Sequence, residues 1–175
     1  MDEKRIAWAI TGAGHELEEC IHLLLSCRGV DLFLSRAAEE VIRMYGLHTL
    51  FAQPGMRIYR ESEGDIALLA RFLSGSYAVL VIAPATSNSV AKFVCGISDN
   101  LVTNLFAQAG KWRLPIIVYP TDLAAEVDSL DPRRRRIKIF PRAIDLENTQ
   151  KLRKLAGVQV VSNREELKLC LAAYL

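Results

Sequence analysis

No apolar run in this 175-residue chain approaches the roughly 18 residues that a membrane-spanning helix needs. The opening MDEKRIAWAI lacks the basic, apolar and small-residue order of a secretory leader. The expectation is a cytoplasmic protein without a membrane partner. Cysteine is sparse: Cys20, Cys27, Cys95 and Cys170 stand far apart, with no C-x-x-C spacing and no cluster with the three histidines. That scatter argues against zinc, iron–sulfur clusters and a disulfide framework, so no metal site is expected and the four thiols are read as reduced. Aromatic residues make up only 7% and the net charge is +2, too little to demand nucleic acid as a partner. Repeats and low-complexity linkers are missing as well. Residues 1–175 therefore read as one domain, and 51% hydrophobic residues suffice for its core.

What is present is a steady alternation of short β-rich runs and helical patterns, the signature of βαβ units around a parallel sheet. A first strand is expected over 5–10, ending in the turn Thr11, Gly12, Ala13, Gly14. Leu17, Cys20, Ile21, Leu24 and Leu25 then recur at helical spacing, with a stop near Gly29. The second strand is expected over 30–34, followed by Ser35 in the N-cap place of a helix that Gly46 closes. Residues 47–64 have no clear period and contain Pro54-Gly55, which reads as a long loop with room for a short strand. A helix is expected over 65–73, and the run 77–83 (YAVLVIA) reads as a central strand covered on both faces. Helices near 89–94 and 101–109, a strand over 115–119, a basic strand over 137–140, a helix near 146–155 and a strand over 158–161 follow. The last helix is capped by Asn163 with Glu166 three residues on. The fold class is α/β, a Rossmann-like three-layer arrangement with a mostly parallel central sheet.

The turn at Thr11, Gly12, Ala13 and Gly14 opens a helix, the place where backbone N–H groups and the helix N-terminus hold a phosphate. A tight β-to-α turn without a ligand would use the same residues. Leu17 stands at the third glycine of the dinucleotide fingerprint, and the second strand ends in Ser35-Arg36 instead of an acidic residue, so a mononucleotide phosphate fits better than NAD. Ser35 either donates to a phosphate or caps its helix, two jobs not easily shared by one hydroxyl. Arg36 lies in solvent, in preference to pairing with that phosphate, or, in an alternative reading as a nicotinamide module, meets the 2′-phosphate of NADP. The stretch Pro84, Ala85, Thr86, Ser87, Asn88, Ser89, with Gly96-Ile97-Ser98-Asp99-Asn100-Leu101 behind it, takes the central strand into a small polar turn that a flat ring can approach.

These segments, in order from about residue 5 to 122, resemble the flavoproteins that include the homo-oligomeric flavin-containing cysteine decarboxylases. The turn at 11–14 is similar to their phosphate loop and Ser35 to their second-strand Ser or Thr. Residues 84–89 are similar to their P-A-S-A-N-T turn and 96–101 to their G-I-A-D-N-L. The resemblance implies FMN as cofactor, with Thr11, Gly12, Ala13 and Ser35 on its phosphate side, Gly14 in the same loop, and Ala85, Thr86, Ser87 and Asn88 along the flavin ring. It also implies a homo-oligomer, a trimer or larger, with flavin at subunit contacts.

Two departures narrow the implied activity. The decarboxylases carry a catalytic His where this chain reads Gly64-Asp65-Ile66, and a P-x-M-N-x-x-M-W clamp where it reads Tyr119-Pro120-Thr121-Asp122-Leu123-Ala124, so cysteinyl decarboxylation is not expected. The prenyltransferase branch has Pro-Arg-Glu in place of Pro120-Thr121-Asp122, which puts that activity in doubt too. The segments I-A-W-A-I-T-G-A-G-H and A-P-A-T-S-N-S-V-A-K look most like the archaeal-type branch of dihydromethanopterin reductases and small electron-transferring archaeoflavoproteins. The implied function is an FMN-dependent oxidoreductase that reduces a pterin such as dihydromethanopterin with electrons from an external, ferredoxin-like donor. The alternative is a carrier between ferredoxin and another redox protein acceptor. No catalytic residue stands out; Asp65, Asp99 and Asp122 are candidates for a proton donor. His15 is a candidate contact near the phosphate, Tyr45 and Phe51 could cover the ring, and Trp8 and Trp112 read as core or rim packing. Arg133, Arg134, Arg135 and Arg136, with Lys138 and Arg142, form a solvated face, steer an acidic donor, or hold the anionic tail of a pterin.

Overall fold

The computed structural model describes residues 4–51, 56–63, 69, 72 and 77–175. Six parallel strands form the main sheet in the order β3-β2-β1-β4-β5-β8. They are β1 (Arg5–Ile10), β2 (Val30–Leu34), β3 (Arg57–Arg60), β4 (Tyr77–Ala85), β5 (Ile116–Pro120) and β8 (Val158–Val160). The helices are α1 (Leu17–Ser26), α2 (Arg36–Met44), α3 (Ser87–Cys95), α4 (Leu101–Lys111), α5 (Ala143–Leu152) and α6 (Arg164–Leu171). Because side chains alternate across a strand, β1 serves two cores. Ile6, Trp8 and Ile10 pack with apolar residues of α1, α2 and α6. Ala7 and Ala9 face the layer of α3, α4 and α5, where Val90, Phe93, Leu101, Leu105 and Leu152 pack. Trp8 is fully buried, and its indole N–H is satisfied by the Ala83 carbonyl at 2.8 Å.

The expected strands and caps are largely present. Ser35 caps α2, accepting from the Ala38 amide at 3.0 Å, and Asn163 caps α6, accepting from the Glu166 amide at 2.8 Å. Gly46 ends α2 with φ of 71°, the left-handed region that favours glycine. Two features differ from expectation. The basic strand lies outside the main sheet: β7 (Arg136–Ile139) pairs antiparallel with β6 (Val127–Leu130), a short strand whose half-exposed VDSL sequence carries no alternation to announce it. Helix α5 starts three residues before its expected place because Asp145 accepts from the Arg142 amide at 2.9 Å and closes the turn there. Of the helix expected over 65–73, residues 69 and 72 are helical, and the rest, including Asp65 and the Gly64-Asp65-Ile66 position, lies outside the described residues.

At the amino ends of the strands, buried Asp31 of β2 accepts from Arg5 Nε of β1 at 2.9 Å and from the Tyr77 hydroxyl of β4 at 2.8 Å. Burial, and then the hydrogen bond to Asp31, pushes the Tyr77 hydroxyl well above its ordinary value; burial, and then the charge of Glu16, does the same for Tyr119. Both native values therefore lie above the unfolded value of about 10. Each of these two tyrosines keeps a proton that it releases on unfolding, so its contribution to stability is intact below about pH 10 and falls above it by about 1.4 kcal/mol per pH unit. Urea melts between about pH 9 and about pH 11 should show a loss above about pH 10 that is shallower in Tyr77→Phe than in wild type by about 1.4 kcal/mol per pH unit. An unchanged slope would count against the assignment.

Candidate functional site at the carboxyl edge of the sheet

In the order β3-β2-β1-β4-β5, successive strands run outward in opposite directions from the β1/β4 pair, and ligand crevices in such sheets open at the carboxyl ends beside that reversal. A cleft of about 470 Å³ opens here, lined by Thr11, Gly12, Ser35, Arg36, Ala37, Glu40, Glu61, Thr86, Ser87, Asn88, Ser89, Asn100 and Val102. Its floor depends on one close approach. A Cβ added at Gly12 would sit 2.7 Å from the Ala37 Cβ, so only glycine lets the β1–α1 turn lie against the first turn of α2. A side chain at Gly14 would overlap the Tyr45 ring.

The hydroxyls around the cleft divide into braces and free donors. Thr11 is buried, donates to the Pro84 carbonyl at 3.0 Å and accepts from the Thr86 amide at 2.9 Å, so its side chain ties β1 to the exit of β4. Thr86 caps α3, accepting from the Ser89 amide at 3.2 Å and donating to Ser89 Oγ at 3.0 Å. Ser35 uses its oxygen as a cap but keeps its hydrogen, because a hydroxyl has one donor besides its lone pairs. Capping and donation to a ligand are therefore compatible at Ser35, against the sequence-based expectation. Ser87 and Asn88, in the first turn of α3, line the cleft without a side-chain hydrogen bond among the described residues. Ala13, Gly14 and Ala85 do not line it: Ala85 is fully buried with its carbonyl taken by the Thr121 amide at 3.0 Å, and Gly14 lines a second cavity.

That second cavity, of about 160 Å³, lies between the β1–α1 turn and the β6–β7 hairpin. His15 belongs to it, with Nδ1 3.2 Å from Ser129 Oγ, as does Tyr45, whose hydroxyl donates to the Leu130 carbonyl at 2.9 Å. Both therefore anchor the hairpin; neither lines the cleft. The arginine run divides in the same way. Arg134 donates to Glu18 of α1 at 2.5 Å, and Arg135 donates to Asp131 at 2.7 Å, within the hairpin turn. The amide of Arg135, and then its guanidinium, holds the Asp131 carboxyl below the ordinary carboxylate range. Arg133 and Arg136 form no ion pair among the described residues. Asp99 is exposed and paired with Lys92 at 2.8 Å, and neither it nor Asp122 lines the cleft. Trp112 is exposed beside a cavity at the amino ends of the strands, away from the cleft. Burial raises the Cys20 thiol well above its ordinary value, in keeping with an inert core cysteine. Among the described residues no three His, Cys, Asp or Glu side chains converge to hold a metal, and no helix is long and apolar enough to cross a membrane.

The carboxylate that sequence reading missed is Glu61. Following β3 directly, it accepts from the Arg36 amide at 2.6 Å and the Leu101 amide at 3.2 Å. Glu40 lines the same cleft.

Three comparisons place this architecture among known proteins. An uncharacterized protein of Methanocaldococcus jannaschii is 30% identical over 171 residues, 94% of this chain and 92% of that one. The dihydromethanopterin reductase (acceptor) of Methanosarcina mazei is 40% identical over 145 residues, 75% of this chain; the matched segment spans 61% of that longer protein. The crystal structure of Burkholderia xenovorans DmrB in complex with FMN, described as a cubic protein cage for redox transfer, superposes with a TM-score of 0.88. It is 38% identical, over 98% of this chain and 95% of that one. The profile of one family matches residues 1–173, the whole sheet and its cleft included, and the chain belongs to that family, Flavoprotein.

Proposed function

We propose that the chain binds FMN in the cleft beside β1 and β4 and acts as an FMN-dependent reductase of a dihydropterin such as dihydromethanopterin, supplied with electrons by a separate donor. The observation that carries this reading is the glycine-floored wall at Gly12, with the free hydroxyl hydrogen of Ser35 on one side and the small polar turn of Thr86, Ser87 and Asn88 on the other. The Ser35 hydroxyl and the Gly12 amide would hold the phosphate, with Thr11 bracing that loop against β4, Ala13 continuing the turn behind them and Gly14 leaving room for Tyr45. Ser87 and Asn88 would face the ring, with Ala85 beneath them as a buried support. Bound there and reduced by two electrons and a proton from the donor, the flavin would supply the hydride for the pterin C=N bond. The open cleft lets solvent supply the proton needed on nitrogen. The likeness to the reductase of M. mazei and to the FMN-bound cage of B. xenovorans supports substrate, cofactor and a homo-oligomer of three or more copies; a cytoplasmic location goes with this reading. Residues 1–175 act as one flavin unit.

The test is direct. A yellow preparation whose cofactor has the mass of FMN, reduced with dithionite, should be reoxidised by dihydropterin. A reduced protein indifferent to dihydropterin but reoxidised by a redox protein would favour the carrier reading.

The hairpin geometry sharpens the role of the arginine run. Arg133→Gln with Arg136→Gln should slow second-order reduction by an acidic, ferredoxin-like donor about threefold to tenfold at low salt, with the gap closing as salt rises. Flavin content should not change. Arg134→Gln is a different experiment, because it frees the hairpin from Glu18. Donor kinetics equal to wild type at low ionic strength would assign Arg133 and Arg136 to a plain solvated face.

A further inference from the structure

An N-cap side chain reaches the third amide of its helix and leaves the first one free. In α2 the Ser35 hydroxyl takes the amide of Ala38, and in α4 the Asn100 carboxamide takes that of Thr103. The two first amides, of Arg36 and Leu101, go to the same side chain: Glu61 Oε2 accepts one and Oε1 the other. A single carboxylate thus joins the end of β3 to the starts of two helices, inside the cleft. Both helix dipoles favour a negative charge at that point, and the donors it uses are those that an incoming phosphate seeks. Ser35, only 6% exposed, lines the same wall with no acceptor for its hydroxyl hydrogen among the described residues.

We propose that Glu61 is an internal stand-in for the phosphate of the ligand. Its carboxylate satisfies the first amide of α2. An incoming phosphate monoester takes that amide together with the Ser35 hydroxyl, displaces the carboxylate and thereby breaks its link to α4. Glu61 makes the cleft a preformed one, because the helix ends that line it are never left without an acceptor. It also determines specificity, since a phosphate-bearing ligand has to replace an anion already in place and a ligand without phosphate does not. The inference rests on the FMN reading for the identity of the ligand; the exchange itself needs only a phosphate monoester beside Ser35.

Titrating apo protein with FMN and with riboflavin separates the two contributions. In Glu61→Gln, FMN should bind about tenfold tighter, the worth of one charge-assisted hydrogen bond no longer contested, while riboflavin stays within about twofold. Equal changes for the two flavins, or weaker FMN binding, would overturn the proposal. Should the variant fold poorly, the wild-type chain offers a second measurement, the amide resonances followed while inorganic phosphate or FMN is added. The Arg36 and Leu101 signals should move together along one saturation curve while Ala38, held by Ser35, stays in place. A Leu101 signal unmoved at saturation overturns the exchange. If phosphate moves both amides and FMN does not bind, the cofactor reading fails and the exchange stands. If FMN binds with Leu101 unmoved, the reverse holds.

Discussion

Gly12→Val is expected to cost the chain its flavin, with FMN affinity falling about 100-fold or more, equivalent to about 2.7 kcal/mol. The reason is space, since Gly12 is not among the glycines with left-handed φ. A Cβ there would stand 2.7 Å from the Ala37 Cβ, closer than real side chains approach, and the nearby backbone carbon of Ala37 gives no flexible tip to swing away. Either the β1–α1 turn or the start of α2 has to move, and the wall shared by Gly12 and Ser35 opens. Because Thr11 anchors that turn to Pro84 and Thr86, the displacement should also reach the ring side of the cleft. Gly110→Ala is the matched control: Gly110 sits on the exposed side of α4 with nothing within 4 Å of its added Cβ. That change should stabilise the helix by about 0.5–1 kcal/mol and leave flavin affinity as it was. Equilibrium dialysis with FMN reads the binding of both variants and urea melts read their stability. A Gly12→Val protein that retains wild-type FMN affinity would show that the cleft is not where the cofactor binds.

The parts of this site that were legible in the sequence are those built from neighbours in the chain. A glycine turn after a strand, a cap residue before a helix and a small polar turn after a fully apolar strand each announce themselves within about six residues. Ser35 does cap α2 as the sequence indicates, but that capping leaves its hydroxyl hydrogen available depends on the direction of one hydrogen, fixed only once Ala38 is seen as the partner. Glu61 was invisible for a different reason. It lies in a segment without period, and its two partners are 25 and 40 residues away, brought together by the pairing of β3 with β2 and by the entry of α4. His15 and the arginines show the opposite case, a strong local signal whose meaning was set elsewhere. The run 133–136 looked uniform, but the hairpin turn sends Arg134 to α1, folds Arg135 back on Asp131 and leaves Arg133 and Arg136 without an ion pair among the described residues. The basic strand β7 was legible, but β6 and its pairing with β7 were not, because most side chains of the pair stay exposed and impose no burial pattern.

Asp31→Ala is expected to destabilise the fold by about 3 kcal/mol without touching the cofactor site. Asp31 is 1% exposed, and its position in β2 places it beside Ala7 of β1 and Arg57 of β3. Its carboxylate gathers Arg5, the Tyr77 hydroxyl and, at 4.0 Å, Arg57, so one side chain ties four adjacent strands at their amino ends. Alanine there would leave the Tyr77 hydroxyl buried without its acceptor and Arg5 with only the Val30 carbonyl for company. Breaking one side of a buried ion pair is costly because the other charge stays behind in a poorly solvated place. For a chain of this size the loss corresponds to a drop in Tm of about 9 °C. Tyr77→Phe alone should cost about 1 kcal/mol, and the double variant less than the sum, since both changes remove the same hydrogen bond. Flavin affinity should be unchanged, because four residues of β2, about 13 Å, separate Asp31 from Ser35. Guanidinium melts of the three variants, paired with FMN titrations, check both halves. A loss under about 1 kcal/mol would mean that Arg5 and Tyr77 find solvent or new partners, and a parallel loss of flavin affinity would mean that the two ends of the sheet are coupled.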